Sequence, residues 1–237
     1  MSLQRGPKIV TDGLVFYVDA ANPRSYVSGS TTTNSLVSND TGSLINDTYF
    51  STDNQGTWNF DGIDDYINLG DTISSVGYSL PMTIDLWVNF VDTSTNLSLF
   101  NLDSTSPYNG IWCNIPSSVG GTREVQVSFG DGSGVSSSDR RTAQTTTGVN
   151  TLEFVNITLI VNGATDFEIY FNGVIQPITL SGIGGIINWS GGIGYIGNFN
   201  NSLFMDGSVS SFKVYSNALT PTEVLQNYNA LKGRFGL

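Results

Sequence analysis

Along most of the chain apolar residues recur at every second position, the period of a half-buried β-strand. Met82, Ile84, Leu86, Val88 and Phe90 share one phase, and Thr83, Asp85 and Asn89 the other. Trp87 interrupts that polar phase, so the second face of this strand is expected to be covered in part. Val125, Val127 and Phe129 alternate with Glu124, Gln126 and Ser128, and Val155, Ile157, Leu159 and Val161 repeat the pattern. Phe167, Ile169 and Phe171 alternate with Glu168 and Tyr170, and Asn172-Gly173 then leads into Val174-Ile175. Asn-Gly provides the two positive-φ positions of a type I′ turn, which predicts a hairpin. With a further turn at Asn162-Gly163, residues 152–180 read as a three-stranded antiparallel meander. More strands are predicted at 13–19, 57–61, 65–69, 97–102, 110–115, 193–198 and 203–215. The stretches 28–57 and 131–151 are rich in Ser and Thr and read as long surface loops.

One helix stands against this background, over about 220–232. Thr220-Pro221-Thr222-Glu223 offers a capping threonine, proline at the first helical position and a glutamate three residues after the cap. Val224, Leu225, Tyr228 and Leu231 follow at helical spacing, and Gly233 is the expected stop. The apolar Phe235 and Leu237 beyond it are expected to tuck back or to meet a partner. No internal repeat and no linker divides the chain, so residues 1–237 read as one domain. About eleven strands and a helical appendix predict an all-β fold, a two-sheet antiparallel jelly-roll sandwich with one short C-terminal helix.

Composition agrees with that reading. Hydrophobic residues make up 39% and charged residues 12%, with 27 glycines, as in short strands joined by polar turns. Several chemistries are excluded. There is no histidine, which removes Ser-His-Asp machinery and imidazole metal sites. Cys113 is alone, so no intramolecular disulfide or thiolate zinc cluster forms. The net charge is −11, and the nine Lys and Arg are scattered rather than gathered on a basic face, so nucleic acid is not an expected partner. No run of 18 apolar residues suggests a membrane span, and the first residues lack the apolar stretch of a signal peptide. The expectation is a soluble protein made in the cytoplasm.

Several segments together resemble the laminin-G-like, concanavalin-A-like jelly rolls: Gly13–Asn22, Trp58–Ile67 (WNFDGIDDYI), Met82–Val88, Phe167–Val174, Tyr195–Asn198 and Asp206–Tyr215. Ala218–Val224 is similar to that family's usual close, a capped turn into a short helix. The framing segments, Gly6–Gly13 and Asn227–Leu237, look like those of virion proteins of marine and cyanobacterial tailed phages. That resemblance implies a place on the virion, with other virion proteins of capsid or tail as partners.

Jelly rolls of this shape include glycoside hydrolases, which need two carboxylates about 5–5.5 Å apart across the scissile bond in the retaining case. The four glutamates, Glu124, Glu153, Glu168 and Glu223, are none of them followed two residues on by an aspartate, and Glu223 fits the helix cap. Asp61, Asp64 and Asp65 form the one tight acidic group considered for a metal. Hard cations take several oxygen ligands, and the resemblance implies calcium at a sheet rim; no other cofactor is implied. Asp61-Gly62 reads equally well as a plain turn. For sugar recognition, which needs an aromatic platform beside amides or carboxylates, the candidates are Trp189, Tyr108, Trp112 and Phe199. Trp112 also fits a strand whose side chain fills the core, as Trp58 and Trp87 are expected to do. Arg140-Arg141, the only adjacent basic pair, either anchors a carboxylate or solvates a loop.

These readings predict a non-catalytic phage virion structural or decoration protein, adhering through surface polysaccharide. It would assemble, as a homo-oligomer or with other virion proteins, through its apolar C-terminal tail or an exposed strand edge. A free-standing carbohydrate-binding module is the alternative, and a glycosidase a third reading.

Overall fold

The strand Met82–Phe90 lies mid-sheet in an antiparallel sheet of eight strands among the described residues and carries the expected alternation into three dimensions. On one side it pairs with Val155–Gly163, which continues through Asp166–Phe171 to Val174–Ile175. On the other it pairs along its length with Asp206–Tyr215. The first half of that long strand also pairs with Thr57–Asp61, and the second half with Leu14–Asp19. The computed structural model describes residues 7–71, 79–91, 95–103, 107–117, 122–150 and 153–237. Gly6 and the segment read for a signal, like residues 151–152, lie outside them.

A second antiparallel sheet, of nine strands among the described residues, runs in the order 178–182, 140–145, 126–130, 111–115, 97–102, 194–196, 66–70, 41–45 and 32–34. The two sheets enclose one core, in which Ile84, Leu86, Phe212 and Trp58 meet Leu99, Phe100, Cys113 and Phe129. This is the predicted all-β jelly-roll sandwich.

Local signals are obeyed where they are strongest. Asn172 and Gly173 adopt φ of 52° and 79°, and Phe171 pairs with Val174 across the turn. The helix runs Pro221–Leu231; Thr220 Oγ1 accepts from the Glu223 amide at 3.4 Å, and the Glu223 carboxylate accepts from the Thr220 amide at 2.8 Å.

Four expectations are corrected. The supposed loop 28–57 contains the strands Thr32–Asn34, Thr41–Ile45 and Tyr49–Ser51. The supposed loop 131–151 contains Arg140–Thr145 and Val149–Asn150. Strands at or near a sheet margin need few inward apolar groups; Ala143, beside the buried Thr145, suffices in Arg140–Thr145. Third, Ile178–Gly182 leaves the meander and crosses to the second sheet, pairing with Arg140–Thr145. Fourth, Gly233 does not end the helical path, which continues as a 3₁₀ turn over Lys232–Phe235 until Gly236 takes a φ of 74°. The chain end tucks back: Phe235 stacks on Trp87 at 4.2 Å, and Arg234 Nη1 reaches both carboxylate oxygens of Asp19 at 3.0 and 3.1 Å.

Candidate functional site

Each sheet has an outer face, and the two are used differently. On the first sheet, the register aligns Tyr17, Lys213, Asp85 and Thr158 in one row, and Asp19, Ser211, Trp87 and Asn156 in the next. The C-terminal segment closes this face. Tyr228 and Phe235 cover Trp87, while Val224 and Leu219 join Ile160, Tyr170 and Tyr215 in a small second core. Beneath lies a fully buried ion pair, Lys213 Nζ to Asp85 Oδ1 at 2.5 Å, with Asn156 and Thr158 donating to Asp85 Oδ2 at 3.0 and 2.9 Å. Trp87 is therefore buried as expected, but under the C-terminus rather than between the sheets.

The outer face of the second sheet carries rings and amides instead. Inward residues such as Ile67, Phe100, Cys113 and Val127 fix the phase. Their outward neighbours line up in register across the sheet: Asn68, Tyr195, Asn101, Trp112, Ser128, Thr142 and Ser181. One step along the strands Asn114, Gln126, Gln144 and Thr179 form a parallel row, with Gln126 Nε2 donating to Gln144 Oε1 at 2.9 Å. Gln144 in turn donates to the Glu124 carboxylate.

Three of the four sequence-predicted aromatics meet on this face. The Tyr108 ring lies 5.2 Å from Trp112, and Phe199 lies 5.6 Å from Trp112 on its own account. Trp112 is 2% exposed, so it is the floor of the cluster, with the half-buried Tyr108 and Phe199 above it. Phe199 arrives on a hairpin, Asn198–Phe199 paired with Leu203–Phe204, that packs over the strand Leu97–Leu102. Its turn is made by Asn200 and Asn201 with φ of 51° and 52°. Trp189 does not join: it packs against the main core and lines an apolar groove with Leu80, Ala164 and Ile187. Its neighbour Asn188 does reach this end of the sheet, where its Nδ2 donates to Asn109 Oδ1 at 2.6 Å. The loop is held by the buried Asp103, whose carboxylate accepts from the Ser190 and Gly192 amides and from Ser190 Oγ at 2.7 Å.

A second ring group, missed in the sequence, continues the face: Tyr66 lies 5.4 Å from Tyr195 and 6.4 Å from Phe204. Its signal was present, since Tyr66 and Asn68 occupy the outward phase of a strand whose Ile67 and Leu69 point inward.

Asp61, Asp64 and Asp65 are brought together, with one carboxylate oxygen of each within 4.8 Å of the others. Asp61 serves the turn, its Oδ1 accepting from the Ile63 amide at 2.8 Å. Asp65 is buried; its Oδ2 accepts from the Asp61 amide at 3.2 Å, the Asp47 amide also faces the carboxylate, and its Oδ1 has no well-formed hydrogen bond among the described residues. Burial, and then the charge of Asp61, raise the pKa of Asp65 above the usual carboxylate range, and the same two causes raise that of Asp206, which is paired in register with Asp61. An orphaned carboxylate oxygen among acidic neighbours fits a hard cation, which takes several oxygen ligands. A cleft of about 450 Å³ joins this turn to the Phe199 hairpin, lined by Gly62, Thr95, Asn96, Ser117 and Ser202–Phe204.

Residues 60–225 match the family described as the concanavalin A-like lectin/glucanases superfamily, and the chain belongs to it. No curated protein matches the chain. Among solved structures it is similar to domain 4 of AbnA, a GH43 extracellular arabinanase from Geobacillus stearothermophilus, in complex with arabinotriose. The TM-score is 0.65 at 16% identity, over 91% of this chain and 98% of that one. It is also similar to a structure of botulinum neurotoxin type C, whose cell entry is dependent upon interaction with two ganglioside molecules (TM-score 0.66, 13% identity, 92% of this chain), and to the botulinum neurotoxin type G receptor binding domain (0.65, 13%, 92%). The chain spans about half the length, 51%, of each toxin chain. At these identities the likeness is one of fold.

Proposed function

We propose that the protein is a non-catalytic carbohydrate-binding jelly roll whose ligand lies on the outer face of the second sheet. The observation that carries this is the cluster of Tyr108 and Phe199 over Trp112, flanked in register by amide and hydroxyl groups. Rings take the apolar faces of sugars and amides take their hydroxyls. A similar domain is known with arabinotriose, which supports sugar as the ligand class. The carboxylates of Glu124, Glu168 and Glu223 are engaged by Gln144, Tyr170 and Thr220, which supports binding without hydrolysis.

Within this proposal the protein is displayed on a phage virion as a structural or decoration protein, made in the host cytoplasm. Support comes from the framing segments Gly6–Gly13 and Asn227–Leu237, which resemble those of virion proteins. Since Phe235 is used internally, assembly with virion proteins or a second copy would use the edge strand Ile178–Gly182, where Leu180 is 40% exposed. Calcium would be held by Asp61, Asp64 and Asp65, with Asp65 Oδ1 as a buried oxygen that has no well-formed hydrogen bond among the described residues. It would offset the charge of the three carboxylates and pin the turn beside the Phe199 hairpin.

The test is a melting curve with a panel of bacterial and plant polysaccharides, alongside a reducing-end assay. A ligand at 100 times its Kd stabilises by about 2.7 kcal/mol. The proposal expects a raised midpoint with at least one glycan and no release of reducing ends; release of reducing ends, or no shift with any member, overturns it.

A further inference from the structure

Strand alternation sends the adjacent pair Arg140-Arg141 to opposite faces. Arg141 is turned into the fold: its Nη1 donates to the Gly182 carbonyl at 2.5 Å, while its Nε is buried without a hydrogen-bond partner among the described residues. Arg140 points the other way, with Cζ 5.4 Å from the centre of the Tyr108 ring and Nη1 donating to the Tyr108 hydroxyl at 3.4 Å. A guanidinium has five N–H donors, and among the described residues no carboxylate lies within ion-pair distance of this one; the ion pairs there are Lys213–Asp85 and Arg234–Asp19. Its neighbour Asp139 is occupied by serines, its Oδ2 accepting from Ser136 N and Oγ at 2.8 and 2.7 Å and its Oδ1 from Ser138 Oγ at 2.9 Å. Arg140 thus holds unused donors beside the tilted Tyr108 and Trp112 rings, in a chain with 20 acidic and nine basic residues.

We infer that Arg140 makes the Tyr108 end of this face a subsite for a carboxylated sugar, a uronate or a sialate. The inference rests on the carbohydrate-binding reading above and adds the class of sugar. The planar fork of arginine matches a carboxylate in bidentate fashion, and its contacts with the Tyr108 ring and hydroxyl pre-orient it. The ring beside it takes the face of the same sugar.

The test is calorimetric titration of the full chain, at low salt, with oligogalacturonate, its methyl ester, 3′-sialyllactose and lactose. At least one acid is expected to bind about tenfold or more tightly than its neutral counterpart, as for a charge-assisted bond. Which acid binds tells uronate from sialate. Arg140→Gln should bring the ratio near one with an unchanged melting midpoint, whereas Arg24→Gln, an exposed arginine elsewhere, should keep it. Equal binding of acid and ester, a preference that survives Arg140→Gln, or binding of neutral glycans alone overturns the inference while the carbohydrate reading stands. Failure of every glycan in the wider panel removes both.

Discussion

The buried pair Lys213–Asp85 lies below the C-terminal segment, where both side chains are wholly inaccessible. Asp85→Asn keeps the shape and an oxygen to accept from Asn156 and Thr158, but leaves the Lys213 ammonium buried without its counter-charge. Breaking one partner of such a pair destabilises by about 3–5 kcal/mol. For a chain of this size each kcal/mol moves the midpoint by roughly 2–4 °C, so the variant should melt roughly 6–20 °C below wild type. Lys213→Met in the Asp85→Asn background removes the stranded charge and should recover most of the loss, since the introduced amide oxygen would still accept from Asn156 and Thr158. Urea unfolding followed by tryptophan fluorescence measures all four corners of the cycle. A single Asp85→Asn variant within about 1 kcal/mol of wild type would refute the reasoning, because it would mean that water reaches Lys213 and the C-terminal segment does not seal this face.

Three further outcomes follow, one on this face and two at the Asp61–Asp65 turn. Phe235→Ala removes the ring stacked between Trp87 and Phe154, at 4.2 and 4.8 Å, and should lower stability by about 1–2 kcal/mol and shift the tryptophan emission to the red. The raised pKa of Asp65 means that the folded state holds its proton more tightly than the unfolded chain, so its contribution is present below the ordinary carboxylate pKa and is lost as pH rises through the raised value. Asp65→Asn should therefore raise the midpoint at pH 7 in chelator and change it less at pH 4. Calcium should raise the wild-type midpoint but not that of Asp65→Asn; equal calcium shifts in both would contradict the site.

The sandwich was legible because its central strands carry a complete local code. Met82–Phe90 has both an apolar phase and a polar one, and Trp87 in the polar phase correctly announced a covered face. What covers it was not legible, since stacking of Phe235 on Trp87 depends on a 3₁₀ turn that passes through Gly233. The strands within 28–57 and Arg140–Thr145 were not legible because such short marginal strands, TTN, TGSLI and RRTAQT, lack an alternating apolar stripe. For the site, residue type was informative and position was not. Tyr108, Trp112 and Phe199 come from a loop, a strand and a hairpin that only the register brings together, whereas Trp189, two residues before Gly191, turns into the core. The roles of Arg140 and Arg141 divide for the same reason: adjacent positions on one strand face different surroundings.

The central claim is that sugar binds at the ring cluster on the outer face of the second sheet, and a glycan array probed with wild type, Tyr108→Ala and Phe199→Ala tests it most directly. The half-buried positions of both rings mean the variants should still fold, which their melting curves will show. The account predicts that wild type labels a defined set of glycans and that each variant loses that labelling while remaining folded. Labelling that both variants retain in full, or an array on which the wild type labels nothing, would contradict it.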